Sequence, residues 1–415
     1  MENKQVKDSE KQNEDKKFTF LSGKDRITCE GRKYFLNGTE MCVEKGGKEI
    51  TDKTESFHEY ITSYLRTLTS HFENIAVLCG AGTSVEDGIL AENNGKAENN
   101  GKDRKGLWEA CEEKIKEVKD LVPDYENFKK NTDIEGLLSY LLLYKKLRLK
   151  NEAKNIDTIV TELEQIIVKK CTLILDNYGH YHEIFLNKLT ARNPSGQRIQ
   201  LFTTNYDCLF EEAANRSNVI LMDGFSFTSP NTFSGRNYDY DIVYREKTRL
   251  RQEESFVPKV IQYYKFHGSV DWNKEKDGRI TKMRSPEHPC IIYPSSDKYE
   301  ASYEQPFFEM MSRFQQVLRK EDTLLIVIGF GFKDKHIQNV IKEAVEQNPN
   351  FHVFIVCYNA QGSINKEDFR DYLTGDQTNT LSNVSILFSS FSEFVKMYPI
   401  NYSYYREFED ENKEN

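Results

Sequence analysis

At 415 residues, 38% hydrophobic and 30% charged, the chain has the make-up of a water-soluble protein able to bury one large core or two ordinary ones. Its net charge of −9 excludes nucleic-acid binding by the surface as a whole, because neutralising phosphates needs a lysine and arginine surplus. None of the eight cysteines forms a CxxC pair, which excludes a zinc ribbon and fits a reducing, cytoplasmic setting without a metal.

The first 17 residues are almost all charged or amide-bearing and lack the apolar core of a signal peptide. They are expected to be disordered, as is the end of the chain, 401–415. The longest apolar run, Leu324 to Phe332, is too short to span a bilayer. Within 1–52, the runs Phe18–Leu21 and Lys33–Leu36 predict a small β-rich appendage. A helix follows from the capping box Ser56-Phe57-His58-Glu59, with the apolar stripe Phe57, Ile61, Tyr64, Leu65 and Leu68. It leads into a first strand, Ile75–Cys79, and then Gly80-Ala81-Gly82-Thr83-Ser84. Glycines at a strand end let a backbone approach a pyrophosphate, although the third glycine of GxGxxG is replaced by Val85 and a plain tight turn reads almost as well.

A tandem duplication, Ala91-Glu92-Asn93-Asn94-Gly95-Lys96 and then Ala97 to Lys102, is too polar to bury anything and predicts a mobile loop, or a lid over a nearby site. From Leu107 to about Leu189 the periodicity is helical, over Ile134–Leu149, Asp157–Lys169 and Thr172–Leu189, so a helical module of about 103–192 is expected between the first two strands. The basic stretches Lys145–Lys150 and Arg245–Arg251 read as solvated faces, so any nucleic-acid contact is expected to be indirect. Strands are then expected at Ile199–Thr203, Val219–Met222, Gln262–Phe266, Cys290–Tyr293, Leu324–Ile328, His352–Val356 and Val384–Phe388. Helices are expected at Cys208–Asn215, Tyr303–Leu318, Asp334–Glu346 and Ser390–Met397, with a long loop or small subdomain over 224–258. This alternation predicts an α/β fold, a doubly wound parallel sheet with helices on both faces.

Three further motifs close strand-like runs. In Thr203-Thr204-Asn205-Tyr206-Asp207, Asn205 can orient a water or a ribose hydroxyl, and Asp207 either binds a ligand or caps the next helix. In Phe266-His267-Gly268-Ser269-Val270-Asp271-Trp272, the imidazole of His267 can accept a proton from water or a sugar hydroxyl, while Trp272 is a pocket wall or core. Gly329-Phe330-Gly331-Phe332 ends the most apolar strand, with His336 in the first turn beyond it. Ligands in open parallel sheets bind just past the carboxyl ends of the strands, where all four motifs fall.

These motifs, GAGTS, TTNYD, FHGSVDW and IGFGFKDKHI in order over roughly 70–390, resemble the sirtuin family, and in particular its bacterial antiphage-defence branch; Gly106-Leu107-Trp108 also fits that branch. The resemblance implies a Rossmann-like domain of 53–400 that takes NAD as substrate. It implies catalytic roles for Asn205 and His267, and NAD contacts at Gly80, Ala81, Gly82, Ser84, Asp207, Gly329 and Gly331, with His336 near the adenosine part or merely packed. Cleavage of NAD to nicotinamide and ADP-ribose in antiviral defence is the implied activity, beside a HerA-type ATPase or a short argonaute. The chain departs from the deacylating members, which carry a four-cysteine zinc ribbon, a Gln where Thr204 stands, and Pro-x-Phe-Arg where the duplication lies. A non-catalytic NAD or ADP-ribose sensor within an assembly is the alternative, ahead of a zinc-free deacylase or a DNA-handling subunit. Twenty-three tyrosines and 26 phenylalanines further suggest aromatic interfaces and a homo-oligomer.

Overall fold

A computed structural model describes residues 17–31, 33–41, 43–45, 48–50, 53–85, 89–93, 96–99, 104–147, 150–175, 180–244, 256–286, 288–291, 305–358 and 380–404. The expected disordered tails, apart from Lys17 and 401–404, lie outside these residues. So do the basic stretch Arg245 to Arg251 and the Asn-Gly pairs of the duplication.

Seven strands run parallel at the heart of one sheet, in the order Ile220–Met222, Val260–Lys265, Ile199–Thr203, Asn74–Cys79, Thr323–Ile328, Phe351–Cys357 and Val384–Phe388. The central strands read as unbroken apolar runs because both faces are covered; every residue of Thr323–Ile328 and Phe351–Cys357 is buried. Their two-residue period sorts side chains between two cores. Ile75, Val77, Leu324 and Ile326 face the helices Lys53–His71, Tyr181–Thr190, Leu209–Arg216 and Phe391–Met397. Ala76, Leu78, Leu325 and Val327 face Phe307–Arg319 and Lys335–Gln347. The fold is α/β, a Rossmann-like doubly wound sheet. From Asn74–Cys79 the chain builds outward on one side through Ile199–Thr203 and Val260–Lys265. It then crosses back to build the other side from Thr323–Ile328. The strand order therefore reverses between Asn74–Cys79 and Thr323–Ile328, the topological switch point.

Three expectations are corrected. The strands of 17–40 are β-structure but not an appendage: Lys17–Ser22 pairs antiparallel with Val384–Phe388, and Asp25–Glu30, Lys33–Leu36 and Thr39–Glu40 extend the same sheet. The described part of the duplication, expected within a mobile loop or lid, is strand rather than loop. Ile89–Asn93 and Lys96–Asn99 form a hairpin with Asn93 opposite Lys96, and the hairpin adds to the strand Leu173–Leu175. The stretch Thr172–Leu189 is not one helix. It divides into that short strand and the helix Tyr181–Thr190, because three consecutive apolar residues fit a strand as well as a helix face. The last helix packs on the sheet, so the helical module proper is Arg104–Cys171, with its own core of Leu107, Trp108, Leu137, Leu141, Leu163 and Ile167.

A buried polar knot joins the antiparallel edge to the parallel sheet. The Ser385 hydroxyl lies 2.8 Å from His352 Nε2 and from the Tyr64 hydroxyl, and Ser22 is within 3.0 Å of Ser385. Burial lowers His352 to about 4, so the imidazole is neutral when folded at neutral pH. A lowered histidine gives stability that is complete above its unfolded value near 6.5 and is lost as pH falls toward 4. The loss is on the order of 3 kcal/mol from this group. Urea unfolding at pH 7.5, 6 and 5 should show a smaller loss for His352→Gln than for the wild type; parallel slopes would assign the effect elsewhere.

Candidate functional site

The four strand-end motifs occupy four adjacent strands, and their loops meet beyond the carboxyl ends. After Cys79 the chain turns through a short 3-10 segment, Ala81–Thr83. The Gly80 amide donates to the Ile328 carbonyl at 2.9 Å and the Gly82 amide to the Gly329 carbonyl at 3.0 Å. The two glycine loops thus touch backbone to backbone across the switch point. A Cβ on Gly82 would stand 2.6 Å from Gly329 Cα, and Gly329 itself has a φ of +60°. Gly331, in contrast, has nothing within 4 Å of a built Cβ. Gly329→Ala is expected to cost on the order of 2 to 4 kcal/mol through combined strain and clash. Gly331→Ala should change stability by less than about 0.5 kcal/mol. Denaturant midpoints of the two variants decide this, and equal values would contradict it.

The motif Thr203–Asp207 distributes its side chains in three directions. Asn205 Nδ2 reaches the Gly80 carbonyl at 3.0 Å, Thr83 Oγ1 at 3.1 Å and Ser84 Oγ at 2.8 Å. Since a carbonyl only accepts, the amide orientation is fixed, and Oδ1 is left without a partner among the described residues. Tyr206 plunges into the core of the helical module and donates to Glu135 Oε1 at 3.1 Å. Asp207 accepts from Ser84 Oγ at 2.7 Å with one oxygen and from the Leu209 amide with the other, so it ties two motifs together at the entry to the helix Leu209–Arg216, whose N-cap is Cys208. Burial pushes the Asp207 carboxyl up, against the opposing pull of Lys265 and the Ser84 bond.

Beneath this loop the Lys265 side chain, 2% exposed, donates to the carbonyls of Asp207 and Tyr206 and to Glu211 Oε1 at 2.9 Å. Burial works against its charge, but the neighbouring acidic groups, Glu211 first and then Cys208, Asp271 and Asp207, together outweigh it and hold the ammonium above its ordinary value. His267 sits at the turn where Val260–Lys265 gives way to Gly268–Lys274, a strand of a second small sheet rather than the loose segment its small residues suggest. Its Nε2 is 3.2 Å from Asp334 Oδ2, and its ring lies 6.3 Å from that of Tyr206. The Val270 amide donates to the Tyr206 carbonyl, joining the histidine and asparagine loops directly.

These loops enclose a cleft of about 400 Å³. Ala81, Gly82, Ser84, Asn205, Asp207, His267, Gly329 and Gly331 line it, so the expected residues converge. Two do not reach it: Gly80 contributes only backbone bonds beneath, and His336 lies in the first turn of the next helix, its amide bonded to Asp334. Trp272 is core, its ring tilted against that of Phe225 with centroids 5.2 Å apart. The helical module closes the opposite wall with Leu107, Ile134, Glu135, Lys170 and Cys171. Asp334 and Lys333 were not anticipated as lining residues; from sequence Asp334 is only the first residue of the expected helix Asp334–Glu346. A second depression, lined by Tyr358, Ser390 and Glu393, shares Gly82, Val85 and Gly329 with the first. Among the described residues no group of three or more His, Cys, Asp or Glu side chains is placed to hold a metal, seven cysteines are free thiols, and no helix is long and apolar enough to cross a membrane.

A family model for a SIR2-like domain matches residues 200–381, less than half of the chain but including three of the four motifs. No curated protein matches. The match agrees with the Rossmann-like sheet and supports an NAD-related activity, SIR2-like domains being generally NAD-dependent enzymes.

Proposed function

We propose that the chain is an NAD glycohydrolase that splits NAD into nicotinamide and ADP-ribose, depleting the nucleotide as part of antiphage defence. The observation that carries this reading is the convergence of the Asn205 amide and the His267 imidazole on one cleft at the switch point. The adjoining depression gives a dinucleotide room for its second half, with the glycine loops between the two. Backbone amides, Ser84, Lys170 and Lys333 suit a pyrophosphate.

In the reaction the bond from ribose C1′ to the nicotinamide nitrogen breaks, and the electron pair leaves with nicotinamide, which departs neutral and needs no acid. A water oxygen bonds to C1′, and its proton passes to His267. Asn205 Oδ1 orients the water or the ribose hydroxyls, while Asp207 and Glu135 offset the positive charge that develops on the sugar. The resemblance to defence members adds the expectation of a homo-oligomer acting with a HerA-type ATPase or a short argonaute. The test is to incubate purified full-length protein with NAD, with and without an acetyl-lysine peptide. Equimolar nicotinamide and ADP-ribose, indifferent to the peptide, is the expected result. Tight NAD binding with no product would replace the enzyme by a sensor, and peptide-dependent turnover would replace it by a deacylase.

A further inference from the structure

Asp334 bridges two elements that the sequence keeps 67 residues apart. Its Oδ1 accepts from the amides of His336, at 2.9 Å, and Ile337, at 3.3 Å, capping the helix Lys335–Gln347. Its Oδ2 is turned to His267 Nε2, and the two side chains are only 8% and 10% exposed. Capping needs one acceptor, and Asn or Ser supplies it about as well as Asp. The second oxygen is therefore surplus to the helix. We propose that Asp334 is a positioning residue for His267, holding the imidazole in the tautomer that carries its proton on Nε2 and leaves the Nδ1 lone pair to receive a proton.

A carboxylate only accepts, so the shared hydrogen belongs to Nε2. When Nδ1 takes up the proton from water, the resulting imidazolium faces a carboxylate in a largely buried setting, which stabilises it. Burial by itself would raise the Asp334 carboxyl. The hydrogen bond and charge of His267, with the two backbone amides, hold it below the ordinary value, so it stays ionised.

The role rests on the NAD-cleavage reading, and the test separates the two. In Asp334→Asn the amide oxygen keeps the cap and the amide nitrogen faces Nε2. Nε2 must then accept, and the proton moves to Nδ1. Nicotinamide release should fall about a hundredfold to ten-thousandfold in kcat, with the thermal midpoint and NAD affinity close to wild type. Asp334→Ser, which keeps the cap without imposing a tautomer, should lose less. The independent readout is the nitrogen-15 spectrum of His267: protonated Nε2 in the wild type, protonated Nδ1 in Asp334→Asn. If the wild type proves inactive on NAD, the spectrum still decides the positioning role. A wild-type kcat in Asp334→Asn, or one tautomer in both proteins, would overturn it.

Discussion

Replacing His267 by alanine is expected to lower nicotinamide release by a factor of about 10² to 10⁴, the range a positioned general base supplies. The fold should survive, because the motif loops are held by other contacts. Asn205 is clamped to Gly80, Thr83 and Ser84, Asp207 accepts from Ser84 and the Leu209 amide, and Val270 is bonded to Tyr206. Asp334 keeps its two backbone amides after the imidazole is gone. NAD affinity measured by calorimetry should therefore change little while turnover collapses, the pattern of an interaction made in the transition state. Asn205→Ala is a less clean substitution, since it also strips the Gly80 carbonyl of a buried donor and loosens the first motif. A His267→Ala protein that releases nicotinamide at the wild-type rate would remove the imidazole from the chemistry.

The second large effect is expected at Lys265. Lys265→Met leaves the half-buried Glu211 with the Tyr263 hydroxyl, at 3.1 Å, and the charge of Lys282 in place of its paired cation, and it removes the ammonium donor from the carbonyls of Tyr206 and Asp207. Breaking a buried pair by removing one partner typically costs about 3 to 5 kcal/mol. Adding Glu211→Leu removes the uncompensated carboxylate, so the double variant should recover much of that loss. Activity should not recover with it, because the loop that carries Asn205 still lacks the ammonium that fastens its two carbonyls. Urea unfolding and nicotinamide release measured on both variants separate the terms. Joint recovery of stability and turnover would show that Lys265 serves the core alone.

The parallel sheet was legible because its strands advertise themselves: Thr323–Ile328 and Phe351–Cys357 are apolar at every position but their ends or nearly so, and glycines or polar residues punctuate them. The convergence of Asn205 and His267 followed from strand-end position alone. What escaped was non-local or ambiguous. Lys17–Ser22 pairs with a strand more than 360 residues away, and nothing in its own composition names that partner. The paired strands Ile89–Asn93 and Lys96–Asn99 lie largely within a polar repeat, which hides the alternation that marks a strand. Lys265 looks like one charge in an aromatic strand, and Asp334 like an ordinary helix start. Each acquires its second partner only through tertiary contact.

Tyr206 belongs at once to the asparagine loop and to the interior of the helical module, and Val270, from the histidine loop, is embedded in that same interior. The module is consequently no detachable cover. Any tilt that widened the cleft would haul on both anchors and pull the amide and the imidazole out of alignment. Access and competence are mechanically yoked, so an open form of this protein is also a disarmed one.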